Sequence, residues 1–184
     1  MELHSQKILD ALKEIAHQLE WDGLIEILLI GGAAGILTGQ LSPQRVTLDC
    51  DVIHYDPEQA QEAVLKAARR VAADRGLPEN WLNSKAMQMN ILPDGWQSRR
   101  IFVAEFVQLK IYAVSRLDLL AMKFFANRPQ DREDILHIKP THDELNYIRK
   151  YLNMLRLPSR QADLDQIVSA LKLVNAIEEA LDES

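Results

Sequence analysis

The chain has 184 residues, 27 of them acidic against 21 Lys and Arg, with a formal net charge of −6, 47% apolar and 26% charged side chains. That length fits one domain, or one domain with a helical appendage, and suffices to bury a substantial core. The acidic balance argues against broad, non-specific coating of nucleic acid, although Arg69–Arg70, Arg99–Arg100 and Arg128/Arg132 leave a local basic patch open.

No run approaches the length of a bilayer span, and residues 1–10 lack a signal-peptide pattern, so no membrane association is expected. A single cysteine, Cys50, rules out an internal disulfide framework and fits a reducing, cytoplasmic setting. The five histidines show no zinc spacing with one another or with Cys50.

In chain order, Ser5 followed by Ile8, Leu12, Ile15 and Leu19 predicts an N-capped amphipathic helix ending near Gly23. Residues 24–30, LIEILLI, form a short apolar run bounded by glycines, as in a buried strand. Residues 31–39, GGAAGILTG, read as a turn entering a brief helix, and RVTLDCDVIHY (45–55) alternates like a strand. A helix is then expected from Pro57, at its first position, towards Arg75. Residues 76–83 make a loop containing Trp81, and the β-rich run 100–114 fits one long strand or two. Ser115 with Asp118 caps the helix LDLLAMKFFAN, which is apolar on nearly every side. A further helix starts after Arg128–Pro129, Thr141 with Glu144 forms a capping box, and two amphipathic helices follow, broken near Pro158. There are no internal repeats.

Two features carry chemistry. On a strand, Asp49 and Asp51 point to the same side, and two adjacent carboxylates repel unless one is protonated or a cation lies between them. Mg²⁺ favours one or two carboxylates plus substrate phosphates. Gly31 and Gly32, at a strand-to-helix turn, let a phosphate approach backbone N–H groups. Either feature alone has a plain structural explanation: a solvated strand edge for the acids, a tight turn for the glycines. Together they describe a phosphate cradle beside a metal-binding acid pair.

The stretch IGGAAGILTGQLSPQRVTLDCDVI (30–53) resembles the signature of the DNA polymerase β-like nucleotidyltransferase superfamily. Arg45-x-Thr47-x-Asp49-x-Asp51 is similar to the small bacterial members, which include minimal nucleotidyltransferases and the nucleotidyltransferase-type toxins of toxin–antitoxin systems. DLLAMKFFANRPQDREDI (118–135), a helix lysine followed by Arg and an Asp-x-x-Asp, resembles a second segment of those proteins. The loop LPENWLN (77–83) is similar to one in an uncharacterised branch. The resemblance runs over roughly residues 20 to 138.

It implies an α+β fold, a small mixed β-sheet flanked by helices, with a nucleotidyltransferase-like domain over 1–138 and a C-terminal helical extension over 139–184. Gly31 and Gly32 would hold nucleotide phosphates, with Thr47 in the same motif, and Asp49 and Asp51 would bind Mg²⁺. Lys123, in an apolar helix, either lays its stem on the core with its ammonium in water or needs a partner for its charge, which a phosphate or the Asp49/Asp51 pair would supply; the resemblance favours the second. Asp131 and Asp134 share one side of a helix; both suit a structural role, either anchoring Lys123 or Arg128 or only complementing the helix N-terminus, with Asp131 the better site candidate. Asn83 and Trp81 fit a pocket wall, although core packing explains Trp81 better. Two departures stand out: Ala33 and Ala34 replace a hydroxyl residue after the glycines, and the third carboxylate of active members has only Glu105 as a candidate.

The expected function is transfer of a nucleoside monophosphate from an NTP to a hydroxyl on a protein, RNA or small molecule. The alternative is a weak or inactive nucleotide-binding module that acts through a protein partner such as an antitoxin. Convergence of Glu105 on Asp49 and Asp51 separates the two.

Overall fold

In the computed structural model, which describes residues 2–160 and 162–183, one hydrophobic core runs from Leu3 in the N-terminal segment to Val174 near the C-terminus. The first helix, α1 (Ser5–Gln18), buries Ile8, Leu12 and Ile15 along one stripe. His4 rather than Ser5 occupies its cap position, with the imidazole Nδ1 accepting from the Lys7 N–H. The apolar run forms β1 (Ile25–Ile30), and α2 (Gly31–Leu37) follows with no intervening residue. Such a tight strand-to-helix passage requires a left-handed residue, and Gly31 supplies it at φ 66°.

The second strand, β2, is shorter than alternation suggests. It covers Cys50–Asp56, whereas residues 45–49 form a loop touched by an isolated antiparallel bridge between Leu3 and Thr47. The helix after it opens with a 3₁₀ turn at Glu58–Ala60 before α3 (Gln61–Arg75), which ends on Gly76 at φ 64°. Trp81 is fully buried and donates its indole N–H to the Ala68 carbonyl at 3.0 Å, the core role expected of it. Next come β3 (Leu82–Asn83) and the short α4 (Trp96–Arg99). The β-rich run resolves into two strands, β4 (Ile101–Phe106) and β5 (Leu109–Ala113), joined by a tight turn.

Together these strands make a mixed sheet in the order β3-β2-β1-β5-β4. The pairs β1/β2 and β4/β5 are antiparallel, and β1/β5 and β2/β3 are parallel. This is the α+β architecture expected.

The helical half comprises α5 (Arg116–Ala126), α6 (Pro129–Ile138), α7 (His142–Met154) and α8 (Leu164–Asp182). Ser115 caps α5, and the box at Thr141 and Glu144 is formed on α7. Leu145, Ile148 and Leu152 of α7 and Ile167, Ala170 and Val174 of α8 join the same core as the sheet. No helix among the described residues is long and apolar enough to cross a membrane.

Candidate active site

Two cavities meet at the open end of β2. One, of about 690 Å³, has polar walls that include Gly32, Arg45, Thr47 and Gln130. The other, of about 430 Å³, is walled mainly by apolar side chains, among them Met89, Ile91, Met122 and Phe125. Asp49, Asp51, Lys123, Arg128 and Asp131 line both, so they form the junction between the two lobes.

The glycine turn touches this junction. A Cβ on Gly31 would lie 3.3 Å from Asp51 Oδ2, and one on Gly32 would lie 3.0 Å from Thr47 Oγ1. Backbone therefore stands bare beside Asp51 and Thr47, where any other residue would set a side chain in the way.

Asp51 sits on β2, paired in register with Asn83 of β3 and Ile30 of β1. Burial, with the neighbouring charge of Asp49, pushes its carboxyl above the usual carboxylate range; a hydrogen bond from Asn83 and the charges of Arg128 and Lys85 oppose the shift. Asp49 lies one residue before the strand, in the loop, and is exposed. Its position is set by loop contacts instead of strand alternation: Thr47 exchanges backbone hydrogen bonds with Leu3, at 2.8 and 3.0 Å, and its hydroxyl donates to the Asp49 carbonyl at 3.1 Å. Leu48, in the same loop, is 66% exposed. Cys50, by contrast, is fully buried, and burial above all, then the two adjacent aspartates, raises its thiol, so it is an inert core residue.

The partner of Lys123 is neither a vacant phosphate site nor the Asp49/Asp51 pair. Its ammonium, on a residue only 3% exposed, donates to Asp131 at 3.0 Å and to Asp134 at 2.6 Å. Asp131 also accepts from Arg128 at 2.7 Å, and Asp134 accepts from Arg45 at 3.0 Å. Burial alone would raise the Asp131 carboxyl, but Arg128 and Lys123 outweigh it and hold it below the usual range. Arg45 also donates to the Val46 carbonyl, so this chain of charges ties the loop carrying Asp49 to α5 and α6. Arg128 is the solvent-facing end of the chain, 71% exposed at its side chain, and feels the charges of both Asp51 and Asp49.

Glu105 is elsewhere. It lies on the edge strand β4, with its side chain 46% exposed and 3.8 Å from Lys110, and it lines neither lobe. Alternation sets which face a residue takes on its own strand, but the sheet order puts β4 at the opposite edge from β3 and β2. Among the described residues no group of three or more Asp, Glu, His or Cys side chains forms a metal-binding cluster. Four of the arginines considered for a basic patch are instead held in separate pairs: Arg69 with Glu62, Arg70 with Glu20, Arg99 with Asp118 and Arg100 with Glu26. Asp118, expected only to cap, is also fully buried against Arg99 and Tyr147.

Met89, Lys85 and Gln166 of the apolar lobe were not legible as site residues. They arrive from the 3₁₀ segment Lys85–Met89 and from α8, and only packing brings those segments to β2.

A mixed sheet with a glycine turn set against two cleft-lining aspartates is the frame of a nucleotidyltransferase. Over residues 6–154 the chain matches the model of a family described as "nucleotidyltransferase of unknown function (DUF6036)", and it belongs to that family. Comparison with curated proteins and with solved structures gives no match.

Proposed function

We propose that the chain is a Mg²⁺-dependent nucleotidyltransferase that moves a nucleoside monophosphate from an NTP to a hydroxyl acceptor. The observation that carries this reading is the junction itself, where bare glycine backbone, two carboxylates and Arg128 face both lobes of one cleft. Two acids in one cleft, one of them raised by burial and by its neighbour, are a donor set that a hard divalent cation relieves. Asp49 and Asp51 would hold the ion. Bound there, Mg²⁺ supplies Lewis-acid stabilisation of charge on the phosphates.

The chain's own residues do the rest. Gly31 and Gly32 give the phosphates room against the backbone. Arg128 offers the exposed guanidinium for a phosphate oxygen, while Lys123 and Asp131 fix its helix in place. Asn83 orients the Asp51 carboxylate. An acceptor hydroxyl entering from one lobe attacks the α-phosphorus of an NTP: the new O–P bond forms as the α–β phosphoanhydride bond breaks, pyrophosphate leaves in line and the hydroxyl proton passes to solvent.

Calorimetric titration of each NTP with Mg²⁺, on the wild type and on Asp49→Ala/Asp51→Ala, tests this. Micromolar, Mg²⁺-dependent binding that the double variant loses is the expected result. No heat with any NTP would sink the enzyme reading.

A second reading is a nucleotide-binding module that works through a protein partner such as an antitoxin. Two observations favour it: no third carboxylate completes a metal-binding group with the pair among the described residues, and Leu157, Leu164 and Val168 stand exposed at the C-terminal helices. Incubation with labelled NTP and a cell extract separates the two readings, since Mg²⁺-dependent label transfer belongs only to the enzyme.

A further inference from the structure

The geometry points to the apolar lobe as the compartment for the nucleobase, with Gln166 of α8 as the residue that discriminates among bases. This rests on the nucleotidyltransferase reading of the junction and assigns the part of the cleft which that reading leaves unassigned.

The two lobes differ in chemistry although they share the acid pair. The polar lobe offers Gln44, Arg45, Thr47 and Gln130, groups that suit a hydroxylated or charged molecule. Beyond the five charged residues it shares, the other lobe presents Met89, Ile91, Met122 and Phe125, with Asn83, Lys85 and Gln166 as its own polar groups. A nucleobase has apolar faces and a polar rim, and an apolar-walled pocket with a few placed hydrogen-bonding groups is what such a ligand needs. At about 430 Å³ the lobe falls within the range of small-ligand sites, roughly 300–1,000 Å³. Methionines and a phenylalanine are the side chains that pack well on a flat ring.

Gln166 is set up to read the rim. Its Nε2 donates to the main-chain carbonyl of Phe125 at 3.0 Å, which fixes the direction of the amide. One N–H and the Oε1 acceptor remain for a ligand; Oε1 accepts no hydrogen bond from the described residues. The helix that carries it is held on α5 nearby, where Asn127 donates to the Ser169 hydroxyl at 2.9 Å. The opposite wall is equally anchored. Tyr151 donates to the Ile91 carbonyl at 2.8 Å, and Arg160 donates to the Asn90 and Leu92 carbonyls at 3.2 and 3.1 Å. The lobe is therefore a built cavity with rigid supports on both sides. Gln166 also lies beyond residue 154, where the family match ends, so base preference would be set by a helix outside the shared segment.

The test compares Mg²⁺ complexes of the four NTPs with Mg²⁺–tripolyphosphate, by calorimetry, on the wild type, Gln166→Leu and Met89→Asp. Met89 is 45% exposed, so the charged variant retains its fold, which a thermal melt verifies. The expected result has three parts. At least one NTP binds ten-fold or more tighter than tripolyphosphate. Met89→Asp removes that advantage without weakening tripolyphosphate. Gln166→Leu brings the four NTPs to within about two-fold of one another. If the wild type binds tripolyphosphate as tightly as every NTP, the lobe takes no base, and the inference fails while the phosphate site stands. If Met89→Asp behaves as expected but the ranking of NTPs survives Gln166→Leu, the assignment of Gln166 is overturned. If neither tripolyphosphate nor any NTP binds, the nucleotidyltransferase reading itself fails and takes the inference with it.

Discussion

At the scale of single residues, the cleft wall beside the acid pair is built from charges that are satisfied before any ligand arrives. Lys123 is the centre of that arrangement: two buried carboxylates, each with an arginine of its own, share its ammonium. Removing one member of a buried ionic group leaves uncompensated charge and costs about 3–5 kcal/mol. Because Arg45 and Arg128 remain, Lys123→Met is expected near the lower end, about 3 kcal/mol, read from the midpoint of urea unfolding. A loss below about 1 kcal/mol would mean that the arginines alone neutralise the acids. The glycines make a second, comparative case. Gly31 and Gly39 have similar positive φ, 66° and 68°, so alanine at either costs about 1–2 kcal/mol of backbone strain. Only the Gly31 Cβ would meet Asp51; around Gly39 there is open space. Both variants should therefore melt lower than the wild type, Gly31→Ala at least as much as Gly39→Ala, while only Gly31→Ala weakens Mg²⁺–NTP binding. Equal binding by both would show that the turn holds no phosphate.

At the scale of elements, two-residue capping pairs were legible, whereas the cap of the first helix and the strand ends were not. Thr141 with Glu144 and Ser115 with Asp118 act as their spacing implied, because a cap is settled within four residues. Residues 45–49 alternate like a strand, yet only Leu3 pairs with them, and the ladder begins at Cys50. Alternation records which side chains are apolar; it does not record whether a neighbouring strand is there to bond. The β4–β5 turn shows a similar conflict. Val107 there has φ 52°, a region that disfavours a β-branched side chain, and it is 65% exposed. Val107→Gly should thus stabilise the protein by about 1 kcal/mol, measured by thermal or urea unfolding, since the strain relieved exceeds the burial lost. A destabilised variant would show that Val107 packs more than its exposure indicates. On β2, His54 stacks edge-on against Trp96 at 4.9 Å, and burial lowers its pKa below the ordinary 6.5. A histidine that folding keeps neutral contributes stability fully present above 6.5 and lost as pH falls through the lower folded-state value. Stability should accordingly decline on acidification from pH 7, and His54→Phe, which keeps a ring against Trp96, should flatten that decline. An unchanged slope would place its origin in other groups.

At the scale of the whole molecule, sheet order decides what the sequence could not. Glu105 was the natural third acid: a carboxylate between valines on a strand, in a chain whose other motifs fitted. The glycine turn and the aspartate pair could be read because they lie within twenty-one residues of one another and on adjacent elements. Glu105 could not, because its distance from them depends on the order β2-β1-β5-β4, which three separate pairings create. Neighbouring strands lie about 4.8 Å apart, so three steps across the sheet come to roughly 14 Å, too far for two carboxylates to share one ion. Exposure and the nearby Lys110 account for Glu105 without any catalytic role. Glu105→Gln should therefore leave Mg²⁺–NTP affinity, and any label transfer, within two-fold of the wild type, whereas Asp51→Asn should abolish Mg²⁺-dependent binding. Loss of transfer in Glu105→Gln with its fold intact would require the sheet edge to approach the cleft, in this chain or from a second copy. Unchanged transfer would instead define a nucleotidyltransferase that works with a pair of aspartates, one on a strand and one on a loop held by Leu3 and Arg45.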